Sequence, residues 1–171
     1  ARNILPEELH KEARLIRGWA DSPLGMMEGI DGGHFDAVMF IGYHAAADTP
    51  DATLKHTMSL RISDVRINDI PMAEAGINAL IAGMYDVPLV LVAGDKAICD
   101  YSRHVFGPIQ TVAVKQGMGT AAVNLHPERS RELIRRHAAE AMRKPEAIKP
   151  FRIEPPYDFI VRYRYEHLAY K

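Results

Sequence analysis

Three residues between Phe40 and Glu74 have the side chains to do chemistry together: His44, His56 and Glu74. His44 follows the apolar run Ala37-Val38-Met39-Phe40-Ile41 and its extension Gly42-Tyr43. His56 comes after a loop containing Pro50, and Glu74 opens the next helical pattern. Two imidazole nitrogens and a carboxylate oxygen are the donors a hydrolytic metal site uses. In open α/β sheets such groups collect just past the carboxyl ends of core strands, which is where His44 falls. Plainer readings fit the same residues. A half-buried histidine bonded to backbone would account for His44, and a surface loop shared with Lys55, Thr57 and Ser59 would account for His56. The helix dipole alone favours a carboxylate such as Glu74 in a first turn. Asn78, one turn further on, could orient Glu74 or be solvated.

The remaining candidates are weaker. His34, His104 and His126 lack a spaced partner, and His137 lies at the edge of an apolar stripe, a packing position. Cys99 adjoins an apolar helical face and reads as a small core residue rather than a nucleophile. Leu91-Val92-Ala93-Gly94-Asp95 looks like a nucleotide-binding strand and turn, but no glycine fingerprint follows it.

The elements that must position the triad can be read from periodicity. Ala37–Tyr43 and Leu89–Ala93 are short continuous apolar runs, as buried strands require, and are too short to span a membrane. Ile62–Met72 alternates around Asn68-Asp69, a hairpin signal. Ile77, Leu80, Ile81 and Met84 fall at helical spacing as one apolar stripe, closed by Asp86-Val87-Pro88. Asp95 is a natural N-cap for a helix carrying Ile98, Tyr101, Ser102, Val105 and Phe106. Gln110–Val114 is a third β-like run. Pro127 sits at the first position of the clearest helix, whose buried face should be Leu133, Ile134, Ala138, Ala141 and Met142. Upstream, Pro6–Glu12 reads as a surface turn, Ala13–Ile16 as a small strand, and the glycine-rich Trp19–Asp36 as a short helix between loops. Phe151–Tyr165 alternates like an exposed edge strand. Strands alternating with helices predict an α/β layered domain, a largely parallel central sheet flanked by helices.

Composition bounds the rest. A chain of 171 residues with 47% hydrophobic and 25% charged residues can bury one globular core. A net charge of −1 gives no bulk attraction to nucleic acid or to an anionic membrane. One cysteine excludes an internal disulfide framework and suits a reducing, cytoplasmic setting. The polar opening residues Ala1, Arg2 and Asn3 carry no apolar leader.

Five segments resemble a known family in the same order along nearly the whole chain. They are Phe40-Ile41-Gly42-Tyr43-His44-Ala45; Ile67-Asn68-Asp69 with Pro71 and Glu74; Gly83-Met84-Tyr85-Asp86-Val87-Pro88; Val92-Ala93-Gly94-Asp95; and Ala113-Val114-Lys115-Gln116. The likeness is to the D-aminopeptidases of peptidase family M55. It implies a zinc-dependent peptidase, with two ions per subunit, that uses metal-activated water. Its substrates would be short peptides bearing N-terminal D-amino acids, of the D-Ala-D-Ala type, and it would work inside a homo-oligomer, by resemblance a decamer. Carried over residue by residue, His44 matches a ligand of one zinc, Glu74 a carboxylate ligand of the other, and His56 the catalytic histidine. One extra residue lies in the loop between His44 and His56.

The family's other ligands stand in Asp-x-Glu-Gly and Asp-x-His-Gly motifs that this chain lacks, and Ala1–Pro6 looks like the sequence just after the second. Met26-Met27-Glu28-Gly29-Ile30 imitates the first motif with Met26 at the aspartate position, so it is not a ligand segment. The expectation is therefore a metallopeptidase core over residues 1–147, the start of a C-terminal β subdomain over 148–171, and weak zinc binding by this chain alone. The competing expectation is a non-catalytic binding or assembly subunit that keeps the same fold.

Overall fold

The computed structural model describes residues 4–169; Tyr170, Lys171 and Ala1–Asn3, the start of the Ala1–Pro6 segment, lie outside the described residues. The core is a four-stranded sheet in the order β1-β4-β5-β6. Its parallel part comprises β1 (Val38–Tyr43), β4 (Leu89–Asp95) and β5 (Gln110–Met118); β6 (Ala121–Asn124) returns antiparallel on β5. Every residue of β4 is buried, as expected of a parallel strand covered on both faces.

The covers are three helices, α1 (Glu74–Met84), α2 (Lys96–Phe106) and α3 (Pro127–Ala141). Phe40 and Val92 pack with Ala75, Ala79 and Ala82 of α1 and with Ile98 and Cys99 of α2. Leu91, Ala93 and Val112 belong to a separate cluster with Leu133, Ile134, Ala138 and Ala141 of α3. The α/β layered architecture predicted from the alternating pattern is the one observed.

A second, three-stranded antiparallel sheet has the order β3-β2-β7, from β2 (Ile62–Ile67), β3 (Ile70–Pro71) and β7 (Phe159–Tyr163). Asn68 and Asp69 sit between β2 and β3 with φ of 47° and 57°, the twist-matched turn that short polar residues tolerate. The Asn68 side chain also fastens the tail, donating to the carbonyls of Glu154 and Pro156 and accepting from the Asp158 N–H.

Several local expectations need correction. Ala13–Ile16 forms no strand: the whole stretch is exposed, and no strand among the described residues pairs with it. Trp19–Asp36 holds two 3-10 turns, Gly25–Met27 and Ile30–Gly32, rather than one short helix between loops; its glycines break propagation. In α1 the helix is right but the face is not. Its small residues Ala75, Ala79 and Ala82 are buried, while Met84 is 77% exposed. Met142 likewise stands outside the buried face of α3. β5 runs four residues past Val114, to Met118, and the tail strand shortens to the five residues of β7.

Candidate metal centre

The strand β1 ends where its neighbour allows. Gly94 of β4 passes so close that a Cβ there would stand 2.0 Å from the Tyr43 carbonyl oxygen. Beyond Tyr43 the chain leaves the sheet, and the next two residues are fixed by polar contacts. The Ala45 N–H donates to Asp95 Oδ2 at 2.9 Å, while Asp95 Oδ1 accepts from the Ile98 N–H at 2.7 Å. One buried carboxylate thus caps α2 and anchors the backbone just after His44.

The loop carrying His56 folds back onto the same place. The His56 N–H donates to the Ala45 carbonyl at 3.3 Å. Thr57, with no exposed surface, donates its hydroxyl to the Met72 carbonyl at 3.0 Å and accepts from the Ala47 N–H at 3.3 Å. Met58 takes a left-handed backbone at φ 60°, and its N–H donates to Glu74 Oε1 at 2.9 Å. Glu74 itself is 9% exposed, in the first turn of α1 where the dipole favours an anion.

These constraints bring the three side chains together. His44 Nε2 lies 3.7 Å and His56 Nε2 3.4 Å from Glu74 Oε1. The two imidazoles stack with centroids 4.1 Å apart and planes at 23°. One donor atom from each of the three residues fits within 4.8 Å of the others, the single such cluster among the described residues. His44 Nδ1 pairs with the Ala45 carbonyl at 3.0 Å; a carbonyl only accepts, so Nδ1 is the donor in this contact and Nε2 is the nitrogen turned toward Glu74. His56 Nδ1 is buried without a hydrogen-bond partner.

Asn78 makes no hydrogen bond to Glu74 among its described contacts. Its amide donates to the Tyr43 hydroxyl at 2.8 Å. Burial pushes the Tyr43 hydroxyl up to about 12, with the Glu74 charge adding to the rise and the Asn78 bond opposing it. The other candidates stay apart. His126 caps α3 by accepting from the Glu128 N–H, and His137 pairs with the Gln110 side chain at 2.7 Å. Glu28 accepts from the Ser22 hydroxyl. Cys99 is fully buried, and burial pushes its thiol up to about 11, which suits a core residue and not a nucleophile. Sequence reasoning found His44, His56 and Glu74 but missed the supporting roles of Thr57, Met58 and Asp95. Only Asp95 gave a signal, as a cap.

The peptidase M55 D-aminopeptidase family matches residues 1–171. A D-aminopeptidase of Bacillus subtilis (strain 168) is 38% identical over 155 residues, which are 90% of this chain and 55% of that relative. Among solved structures, the Zn-dependent D-aminopeptidase DppA from Bacillus subtilis, a self-compartmentalizing protease, matches with a TM-score of 0.85 and 32% identity. That match covers 95% of this chain and 59% of DppA. The chain thus spans little more than half the length of these relatives.

Proposed function

Since the chain belongs to the M55 family of D-aminopeptidases, we propose that it forms the metal-binding core of a zinc-dependent aminopeptidase. Its substrates would be short peptides with N-terminal D-amino acids, of the D-Ala-D-Ala type. The observation that carries this reading is the convergence of His44, His56 and Glu74 within 4.8 Å.

The donor set suits zinc. Two ligands held at about 2.0–2.2 Å on a tetrahedral ion stand roughly 3.4 Å apart, and Glu74 Oε1 lies 3.4 Å and 3.7 Å from the two imidazole Nε2 atoms. We assign His44 and Glu74 as ligands. His44 turns Nε2 toward Glu74 while the Ala45 carbonyl accepts from its Nδ1, the outer-sphere arrangement that orients a metal-binding imidazole. The Met58 N–H holds in place Glu74 Oε1, the same oxygen that faces the two imidazoles.

Zinc bound there would polarise the scissile carbonyl and lower the pKa of water. The chain's own contribution to the chemistry is His56. Its Nε2 faces Glu74, and there it can hold a proton for the departing amine or steady negative charge on the carbonyl oxygen. A subunit with two zinc ions needs about three protein ligands for each, counting shared ones, which exceeds what these three residues offer.

The test compares this chain with the longer protein of the relatives' length. The longer protein should release D-alanine from D-Ala-D-Ala, lose that activity to a chelator and regain it with zinc. It should also sediment as a homo-oligomer, as the self-compartmentalizing habit of DppA supports. The 171-residue chain should bind zinc weakly and turn over nothing. Chelator-resistant hydrolysis would remove the metallopeptidase reading, and robust cleavage by the 171-residue chain would overturn the ligand count.

A further inference from the structure

One hydrogen bond joins the two elements that carry His44 and Glu74, and neither residue takes part in it. Tyr43 is the last residue of β1, directly before His44; Asn78 lies one helical turn after Glu74 in α1. The Asn78 amide donates to Tyr43 Oη at 2.8 Å. Both ends are held in the core. Asn78 is 3% exposed, so no water competes for its amide. The Tyr43 ring lies on Phe40, centroids 4.6 Å apart and planes at 13°, and Phe40 is itself buried against the sheet. The other polar neighbour of the Asn78 amide among its described contacts is Met26 Sδ at 4.0 Å, a far weaker acceptor.

The packing around this bond explains why it matters. The fully buried side chains that α1 shares with Phe40 of β1 in the core are Ala75, Ala79 and Ala82, with Ile81 only partly buried beside them. Alanines allow close approach but raise little ridge to lock a helix against sliding or rotation. A directional bond from Asn78 to a ring fixed on the sheet supplies the missing constraint.

We propose that Tyr43 and Asn78 are a positioning pair that sets the separation between His44 and Glu74, and with it the geometry of the metal site. The inference rests on the metal-site reading given above. Ligands must be placed to within a few tenths of an ångström for tight zinc binding. Outer partners of that kind are worth about ten- to a hundred-fold in metal affinity.

Zinc titration by calorimetry on the 171-residue chain, with urea unfolding of each metal-free variant, tests it. Tyr43→Phe, Asn78→Leu and the double variant should each bind zinc at least ten-fold more weakly than the unmodified chain. The double variant should regain stability over Tyr43→Phe, since no buried amide is left unpaired, yet keep the affinity loss. Val112→Ala, in the cluster facing α3, should lower stability and leave zinc affinity unchanged. Cobalt(II) bound in place of zinc should show an altered visible spectrum in all three site variants and an unaltered one in Val112→Ala. If the double variant binds zinc like the unmodified chain, or if affinity merely tracks stability through Val112→Ala, the pair is structural and the inference fails. If the unmodified chain takes up no zinc at any concentration, the metal-site reading itself fails and takes the inference with it.

Discussion

His56 is the residue on which two chemistries compete, because its Nε2 stands as close to Glu74 as a ligand of the same ion would. The proton-transfer role favoured here makes a definite prediction. In the longer protein, His56→Ala should lower kcat by about a hundred- to ten-thousand-fold, the usual worth of a general acid or base. Zinc content, measured by atomic absorption, should remain that of the unmodified enzyme. Loss of zinc together with activity would make His56 a ligand. The sequence shows why these side chains were easy to find and their supports were not. His44 and Glu74 bracket recognisable elements, so periodicity places them. Thr57 and Met58 act through a backbone carbonyl and a backbone N–H inside an irregular loop, where no period exists to be read.

Strands β1 and β4 show how an element reaches the site through its neighbour. Gly94 lets the two strands close on each other: an added Cβ would meet the Tyr43 carbonyl at 2.0 Å and Ile98 Cγ2 at 2.9 Å. Neither can swing away as an exposed side chain would, so Gly94→Ala should cost about 3 kcal/mol or more. It should also displace His44, which follows Tyr43 directly. Urea unfolding reads the first effect and zinc titration the second; a variant with unchanged stability and affinity would show that β1 shifts freely. The continuous apolar runs and the capped or proline-led helices were legible because each carries its own local signal. The face of α1 was not. Its largest apolar residues mark one stripe, but the helix lies so close to its neighbours that its fully buried apolar side chains are the small ones of Ala75, Ala79 and Ala82. Close approach outweighed side-chain size. β6 was missed for a related reason: its residues Ala121–Asn124 have weak strand preference, and its pairing with β5 holds it in place.

Across the full chain, one buried and one partly buried proton donor of α2 set a limit on alkaline stability. Burial pushes the Cys99 thiol from its ordinary 9.0 to about 11 and the Tyr101 hydroxyl from 10.0 to about 12. Tyr101 also donates to the Pro71 carbonyl at 2.9 Å, a bond its anion could not make. Both groups release their protons earlier in the unfolded chain than in the folded one. Their contribution is therefore complete below pH 9 and drains away as pH climbs through about 11 and 12. For Cys99 alone the difference amounts to about 2 kcal/mol by pH 11. Urea unfolding at pH 8 and pH 11 should show a larger drop for the unmodified chain than for Cys99→Ala or Tyr101→Phe. Each variant starts from lower stability at pH 8, yet the gap to the unmodified chain should narrow at pH 11. Parallel losses in all three proteins would mean that these protons are not what the folded core protects, and that the alkaline limit comes from charges on the surface.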